Sequence, residues 1–177
     1  MFILALALGS ALAAPPISSG ATLLTGIGAT FDGDPATLKI QVQGELPLHP
    51  NDTLGIGLVL PIELTLSGRD SFGATIANSM VAVIPSVRLR AGNVMPVRFY
   101  ADAGLGMALV TADREAWLFQ ATSQRSGWAT RFVLGLEVGP ADGGVAFVFE
   151  PIGIDTLHFN TYNSVAYAGR IGVGVRY

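Results

Sequence analysis

The sequence predicts an all-β fold, a closed, antiparallel, up-and-down transmembrane barrel of about eight strands. Three observations predict it. From Leu54 to Leu66 every second residue is Leu or Ile, while the positions between hold Gly55, Gly57, Val59, Pro61, Glu63 and Thr65. That period of two belongs to a strand, whose successive side chains point to opposite faces. The 177 residues are 50% hydrophobic but only 13% charged, with a mean hydropathy of +0.51, whereas an ordinary soluble domain carries about 25% charged residues. Finally, the charges of each strand share a face with Gly, Ala and Ser, and the opposite face has none. A wall without Lys or Glu suits hydrocarbon, where an Arg or Lys near the midplane costs ~2–4 kcal/mol. Backbone amides have no water to bond there, so such a sheet must close on itself and leave no edge.

The segments between turn residues come at near-regular spacing, as consecutive hairpins do. The first runs near Gly20 to Phe31, with Leu23, Ile27, Ala29 and Phe31 against Thr22, Gly26, Gly28 and Thr30, and turns at Asp32-Gly33-Asp34-Pro35. Thr37 to Leu46 sets Leu38, Ile40, Val42 and Leu46 against Lys39, Gln41, Gln43 and Glu45. After Pro47 to Asp52 comes the Leu54 strand, then a polar connector from Ser67 to Ser79. Met80 to Ala91 follows as one strand, Val81, Val83, Val87 and Leu89 opposing Ser86, Arg88 and Arg90, and turns at Gly92-Asn93. Val97 to Val110 alternates Val97, Phe99, Ala101, Ala103, Leu105, Met107 and Leu109 with Arg98, Tyr100, Asp102, Gly104, Gly106 and Ala108.

A long connector, Thr111 to Ser126, leads to Trp128–Val138, where Trp128, Phe132, Leu134, Leu136 and Val138 face away from Arg131, Gly135 and Glu137. Val145, Phe147 and Phe149 oppose Ala146, Val148 and Glu150, until Pro151-Ile152-Gly153-Ile154 breaks the rhythm as a bulge would. Thr156 to Asn163 reads as the last loop, and Val165 to Tyr177 as the closing strand. Longer polar connectors thus alternate with tight turns, the layout of bacterial outer-membrane barrels with both chain ends on the periplasmic side. Trp117, Phe119 and Trp128, with Phe159 and Tyr162, are expected at one membrane interface, and Phe99 and Tyr177 at the other. Trp117-Leu118-Phe119 is expected to extend a strand beyond the membrane.

Two parts are expected: a cleaved signal peptide, residues 1–14, and a barrel domain, residues 15–177. Phe2 to Leu12 is apolar but shorter than the ~20 residues of a spanning helix, and Ala11-Leu12-Ala13 suits cleavage after Ala13 or Ala14. No Lys or Arg precedes the run, so either the terminal amine supplies the leader's charge or Met1 lies inside a longer leader. With no Cys there is no disulfide framework and no thiolate metal site. The ten Lys and Arg residues are scattered rather than gathered into a stripe, which argues against a nucleic-acid partner.

The carboxyl terminus carries a more specific signal. Arg170, Gly172, Val175 and Tyr177 fill the polar, Gly, hydrophobic and aromatic slots of a terminal octapeptide, and Pro96 to Gly106 is similar to the strand after a periplasmic turn in such barrels. In this the chain resembles the superfamily of small eight-stranded outer-membrane barrels that includes the OmpA transmembrane domain, OmpX and OmpW. The resemblance implies a Gram-negative outer membrane as location, outer-membrane lipids and lipopolysaccharide as neighbours, a terminal motif read by the barrel-assembly machinery, and a monomer. With the chain stopping at Tyr177, no OmpA-type periplasmic domain is expected.

Lys39, Glu45, Glu63, Arg88, Arg90, Arg98, Asp102, Arg131, Glu137, Glu150, Arg170 and Arg176 are expected to point into the lumen and neutralise one another. The role expected is structural, adhesive or directed at lipid or small solutes, with no cofactor or metal. Three alternatives differ in kind. Glycines such as Gly55, Gly104 and Gly172 leave room for a narrow channel. A soluble lipocalin-like barrel would turn its apolar face inward. A lipid-modifying enzyme would need a His, Ser and acid in hydrogen-bond reach, for which only His49, in a short turn, and His158, near Asp155 and Ser164, are available. Asp32, Asp34, Asp113 and Glu115 are separated loop acids of a kind that could attract a divalent cation but are expected simply to be solvated.

Overall fold

The computed structural model describes residues 19–30, 36–49, 53–71, 74–92, 96–116, 119–140, 143–160 and 163–177. The 1–14 segment, the turn at Asp32 to Pro35, Trp117 and Tyr162 lie outside them. Nine strand segments are present: β1 (Gly20–Thr30), β2 (Thr37–His49), β3 (Leu54–Ser71), β4 (Ala74–Val83), β5 (Ser86–Ala91), β6 (Val97–Ala116), β7 (Phe119–Val138), β8 (Gly144–His158) and β9 (Asn163–Arg176). All pairings are antiparallel, and β1 pairs with β9 from Gly20↔Arg176 to Thr30↔Ala166, closing the sheet into a ring.

The ring has eight places, because β4 and β5 share one: both pair with β3 on one side and β6 on the other. The expected single strand from Met80 to Ala91 is therefore interrupted at Ile84-Pro85. Proline has no N–H for a ladder, yet the path stays continuous, with the Ile84 N–H donating to the Pro61 carbonyl (3.3 Å) and the Leu105 N–H to the Pro85 carbonyl (3.2 Å).

The side chains sort by solvent as the alternation requires. Leu58, Leu105 and Val173 stand outward at 43%, 57% and 44% exposure, whereas Arg90 and Arg131 are buried. A soluble barrel with an apolar interior is thereby excluded. Along β8 the register shifts between Glu150 and Gly153, the bulge expected at Pro151. Its consequence was not anticipated: below the shift Val148 and Glu150 point inward, and beyond it Gly153, Asp155 and Leu157 do.

The connectors expected from Ser67 to Ser79 and from Thr111 to Ser126 are strand for most of their length, a correction with a plain cause. A bilayer needs only ~9–11 residues of tilted strand, and β3, β6 and β7 have 18, 20 and 20. The surplus has no hydrocarbon to face and so loses the aliphatic alternation that marks the rest. Residues 67–71, 74–79, 111–116 and 119–127 continue the ladders without a register shift, from Leu66↔Ser79 to Ser71↔Ala74 and from Trp128 to Ala116↔Phe119. They form a four-stranded blade standing on one side of the ring. The opposite side is lower. The pairing of β2 with β3 ends at Leu38↔Leu66 and that of β7 with β8 at Trp128↔His158, so neither neighbour reaches the blade's two outer strands. The last loop is likewise shorter than Thr156 to Asn163, since His158 pairs with Asn163.

Candidate functional site

The lumen is layered. Toward the blade, Met80, Ala82, Ile84, Ala108, Ala129, Leu157 and Phe159 pack as a buried apolar cap. Phe159, expected at the membrane interface, belongs to this cap, because the β8 bulge has shifted its face. Trp128, Phe99 and Tyr177 do stand outward, at 60%, 60% and 75% exposure.

Below the cap lies a first group of ion pairs. Lys39 Nζ meets Glu63 Oε1 at 2.7 Å and Asp155 Oδ2 at 3.2 Å. Arg131 donates Nη2 to Glu63 and Nε to Asp155, both at 2.7 Å, and Nη1 to the Gln41 side-chain oxygen at 2.7 Å. Arg170 reaches Glu63 (2.7 Å), Asp155 (3.2 Å) and Glu150 (3.3 Å). Three cations face three carboxylates drawn from five strands.

A second group lies toward the end where Gly20 and Arg176 meet. Arg88 grips Asp102 through Nε and Nη2, each at 2.7 Å, in the planar two-point fit that suits guanidinium to carboxylate, and its Nη1 reaches Glu45 at 2.8 Å. Arg90 Nη2 lies 2.6 Å from Glu45 and 3.3 Å from Glu137. Arg98 meets Glu137 at 2.8 Å. Arg176 meets Glu137 at 2.5 Å and Glu45 at 3.0 Å.

Between the groups sits an apolar belt of Leu24, Val133, Val148 and Tyr100. Tyr100 joins the two: the Arg88 guanidinium lies 3.9 Å over its ring, and its hydroxyl donates to Glu150 at 2.9 Å.

All twelve residues singled out for the lumen are thus buried within it, none more than 8% exposed. Asp155 was missed, being read as a loop neighbour of His158. It holds Lys39, Arg131 and Arg170 together, and the phase change at Pro151 was the signal that could have found it. Burying so many charges is tolerable only because each has a partner: an isolated ion in a low-dielectric interior costs several kcal/mol, which Coulomb attraction and hydrogen bonds offset when the geometry is good. Contacts such as Arg176 to Glu45, 131 residues apart in sequence, therefore tie strands across the ring as well as fill it.

His158 does not assemble with a nucleophile among the described residues. The His158 ring sits outside, Nδ1 3.0 Å from Asn163 Oδ1, whereas Asp155 and Ser164 are buried on the inner face. His49 ends β2, and its side chain lies outside the described residues. Among the described residues no group of three His, Cys, Asp or Glu side chains is arranged to hold a metal. Asp113 lies exposed on the blade's outer face.

The blade divides its charge by face. Inner positions of β3 and β7 are odd-numbered and those of β4 and β6 even-numbered, as buried Glu63, Ala129, Ala82 and Ala108 establish. With the register unbroken, Arg125 occupies an inner position and Asp113 an outer one. Seven of the ten Lys and Arg residues of the chain lie within the lumen.

Neither a protein-family model nor a curated protein sequence matches the chain. Solved structures do. Ail, the attachment invasion locus protein of Yersinia pestis, aligns at a TM-score of 0.58 with 14% identity, over 93% of this chain and 100% of that one. Neisserial surface protein A aligns at 0.60 with 13% identity, over 93% and 99%, and the outer membrane enzyme PagL at 0.54 with 13% identity, over 88% and 99%. These relatives in shape point to a bacterial outer membrane, and their roles differ among themselves. The closed ring, the outward aliphatic wall and the ion-paired interior give this chain the fold of the small eight-stranded outer-membrane β-barrels.

Proposed function

We propose that this protein is a non-conducting outer-membrane barrel that displays its four-stranded blade at the cell surface as an adhesive element. The observation that carries the reading is the blade itself: β6 and β7 run 20 residues each, about twice what a bilayer needs, and stay paired as far as Ala116↔Phe119. Among the described residues its two outer strands have no ladder partner beyond Leu66 and before Trp128, so they present backbone donors and acceptors to a partner. The name of Ail, the attachment invasion locus protein of Yersinia pestis, is in keeping with such a role.

In this reading the chain is exported by its amino-terminal leader, residues 15–177 insert as a monomer among outer-membrane lipids and lipopolysaccharide, and Arg170, Gly172, Val175 and Tyr177 address it to the barrel-assembly machinery. The blade lies outside and the Gly20 end faces the periplasm. The capped, ion-paired lumen supports a plug rather than a pore, and the separation of His158 from Asp155 and Ser164 favours a binding role over a catalytic one.

The test replaces residues 67–79 and 111–126 by two-residue turns. The trimmed chain should still show the heat-sensitive gel mobility of a folded barrel, and cells displaying it should lose attachment to tissue-derived surfaces. Unchanged attachment would refute the display role. Stepwise conductance of the intact protein in planar bilayers would refute the plug.

A further inference from the structure

We infer that the outward face at the junction of wall and blade is a docking site for a membrane lipid whose head group ends in a primary ammonium. The inference goes beyond display and does not depend on it. Its first ground is a concavity, an open dish of about 380 Å³ whose lining on that face includes Leu38, Leu66, Gly68, Ala77, Ser79 and Asp113. The ladders explain why it is there. Gly68 pairs with Ala77, and Ala77 with Asp113, so a floor with almost no side chain extends two strand spacings, about 10 Å, from the acid to β3. A Cβ added to Gly68 would meet nothing within 4 Å, which leaves that end of the dish open to a ligand.

The second ground is height. Leu38, Leu66 and Ser79 form the next row across the strands toward the membrane, and Ile40, Leu64, Val81 and Leu109 the outward aliphatic row below it. The dish therefore sits where hydrocarbon gives way to head groups. Acyl chains of a lipid held there run straight down the wall, whereas a soluble amine would leave Leu38 and Leu66 uncovered, so the occupant is a lipid. The third ground is charge. Asp113 stands exposed at one end with the half-buried Ser79 on the neighbouring strand, and among the described residues no Lys or Arg lines the dish. A primary ammonium brings three N–H donors that a carboxylate and a hydroxyl can accept, and a trimethylated head group brings none. Calcium takes roughly six to eight oxygen ligands, more than one carboxylate and one hydroxyl supply, so the chemistry suits an organic monocation.

The probes are phosphatidylethanolamine and phosphatidylcholine with identical acyl chains, offered in equal amounts to the full chain refolded in detergent micelles, and native mass spectrometry reads which lipid stays bound. Wild type should retain the ethanolamine lipid over the choline lipid by roughly fivefold, the size of one exposed charge contact. Asp113→Asn should bring the two to parity. Gly68→Leu, whose side chain enters the dish, should lower retention of the ethanolamine lipid by a similar factor. Gel mobility before and after boiling reports the folding of each variant, and should one misfold, the other decides. Equal retention of the two lipids by wild type, or a preference that survives in the variants, overturns the inference. Three further results also overturn it by naming another occupant: loss of the preference on adding EDTA, which indicates a metal bridge to the lipid phosphate; displacement of the lipid by equimolar free ethanolamine, which indicates a soluble amine; and a protein dimer in place of the lipid adduct, which indicates a second copy of the chain.

Discussion

Replacing Arg131 by Met tests whether the lumen is a compensated core or a wet channel. The substitution keeps the length and most of the volume of the side chain but removes contacts to Asp155 (Nε, 2.7 Å), Glu63 (Nη2, 2.7 Å) and Gln41 (Nη1, 2.7 Å). What remains in the blade-side group is Lys39 and Arg170 against Glu63, Asp155 and Glu150, two cations for three carboxylates, all nearly inaccessible to water. Breaking a buried pair and leaving a charge uncompensated costs ~3–5 kcal/mol, a large part of the stability of a small domain, ~5–15 kcal/mol. The double variant Arg131→Met/Asp155→Asn restores two against two and should recover about 2 kcal/mol, a coupling of the size neighbours in one network show. Urea titration of refolded protein in lipid vesicles, followed by tryptophan fluorescence and gel mobility, measures both. A loss below about 1 kcal/mol for Arg131→Met, or a double variant no more stable than the single, would mean that water rather than the partner guanidinium neutralises Asp155, and the filled-lumen account would be wrong.

Leu60→Arg, midway along the wall segment of β3 and 48% exposed to the outside, should cost ~2–4 kcal/mol in vesicles, whereas Leu60→Phe should refold with wild-type yield in the same assay. Gly172→Val should block refolding in detergent with no assembly machinery present, because a Cβ built there runs into the Leu23 carbonyl oxygen on β1. A normal refolding yield would instead leave that glycine to the terminal address alone. Deleting Ile152 removes the extra residue of the β8 bulge and makes the strand regular, with Glu150, Gly153 and Asp155 all still on the inner face, so a heat-modifiable band should still form. Loss of the band would mean that the bulge itself, rather than alternation, holds Asp155 in the lumen.

The face assignment was legible because period-two alternation is a local property: knowing that Leu58 faces lipid fixes Gly57, Val59 and Glu63 as inward. Alternation fails where the chain adds a residue. The odd-numbered inner set beyond Glu150 could be reached only by taking Pro151 to shift the phase, and Asp155, Leu157 and Phe159 were misplaced together for that single reason. The blade was read as loop because strand outside hydrocarbon carries no aliphatic face, so Ser67 to Ser79 has the composition of a turn while making ladder bonds. The apolar cap escaped for the opposite reason. Met80 and Ile84 are hydrophobic residues on the face that the rest of their strand reserves for Arg88 and Arg90, and polarity alone does not reveal an interior that changes character along its axis. Which cation meets which carboxylate follows from strand tilt and stagger, quantities that parity does not contain.

The distribution of guanidinium groups among the strands has a consequence for biogenesis. Glu63, Glu150 and Asp155 wait on Arg170, and Glu45 and Glu137 on Arg176, and both donors arrive on the strand made last. An eight-place ring missing that strand would leave Glu150 without a cation and take one guanidinium from each of the other four acids, in a medium that solvates none of them. The lumen's six buried carboxylates therefore face only five cations until that strand adds Arg170 and Arg176, and partially zipped intermediates are held back from releasing into the bilayer by their own under-paired interior.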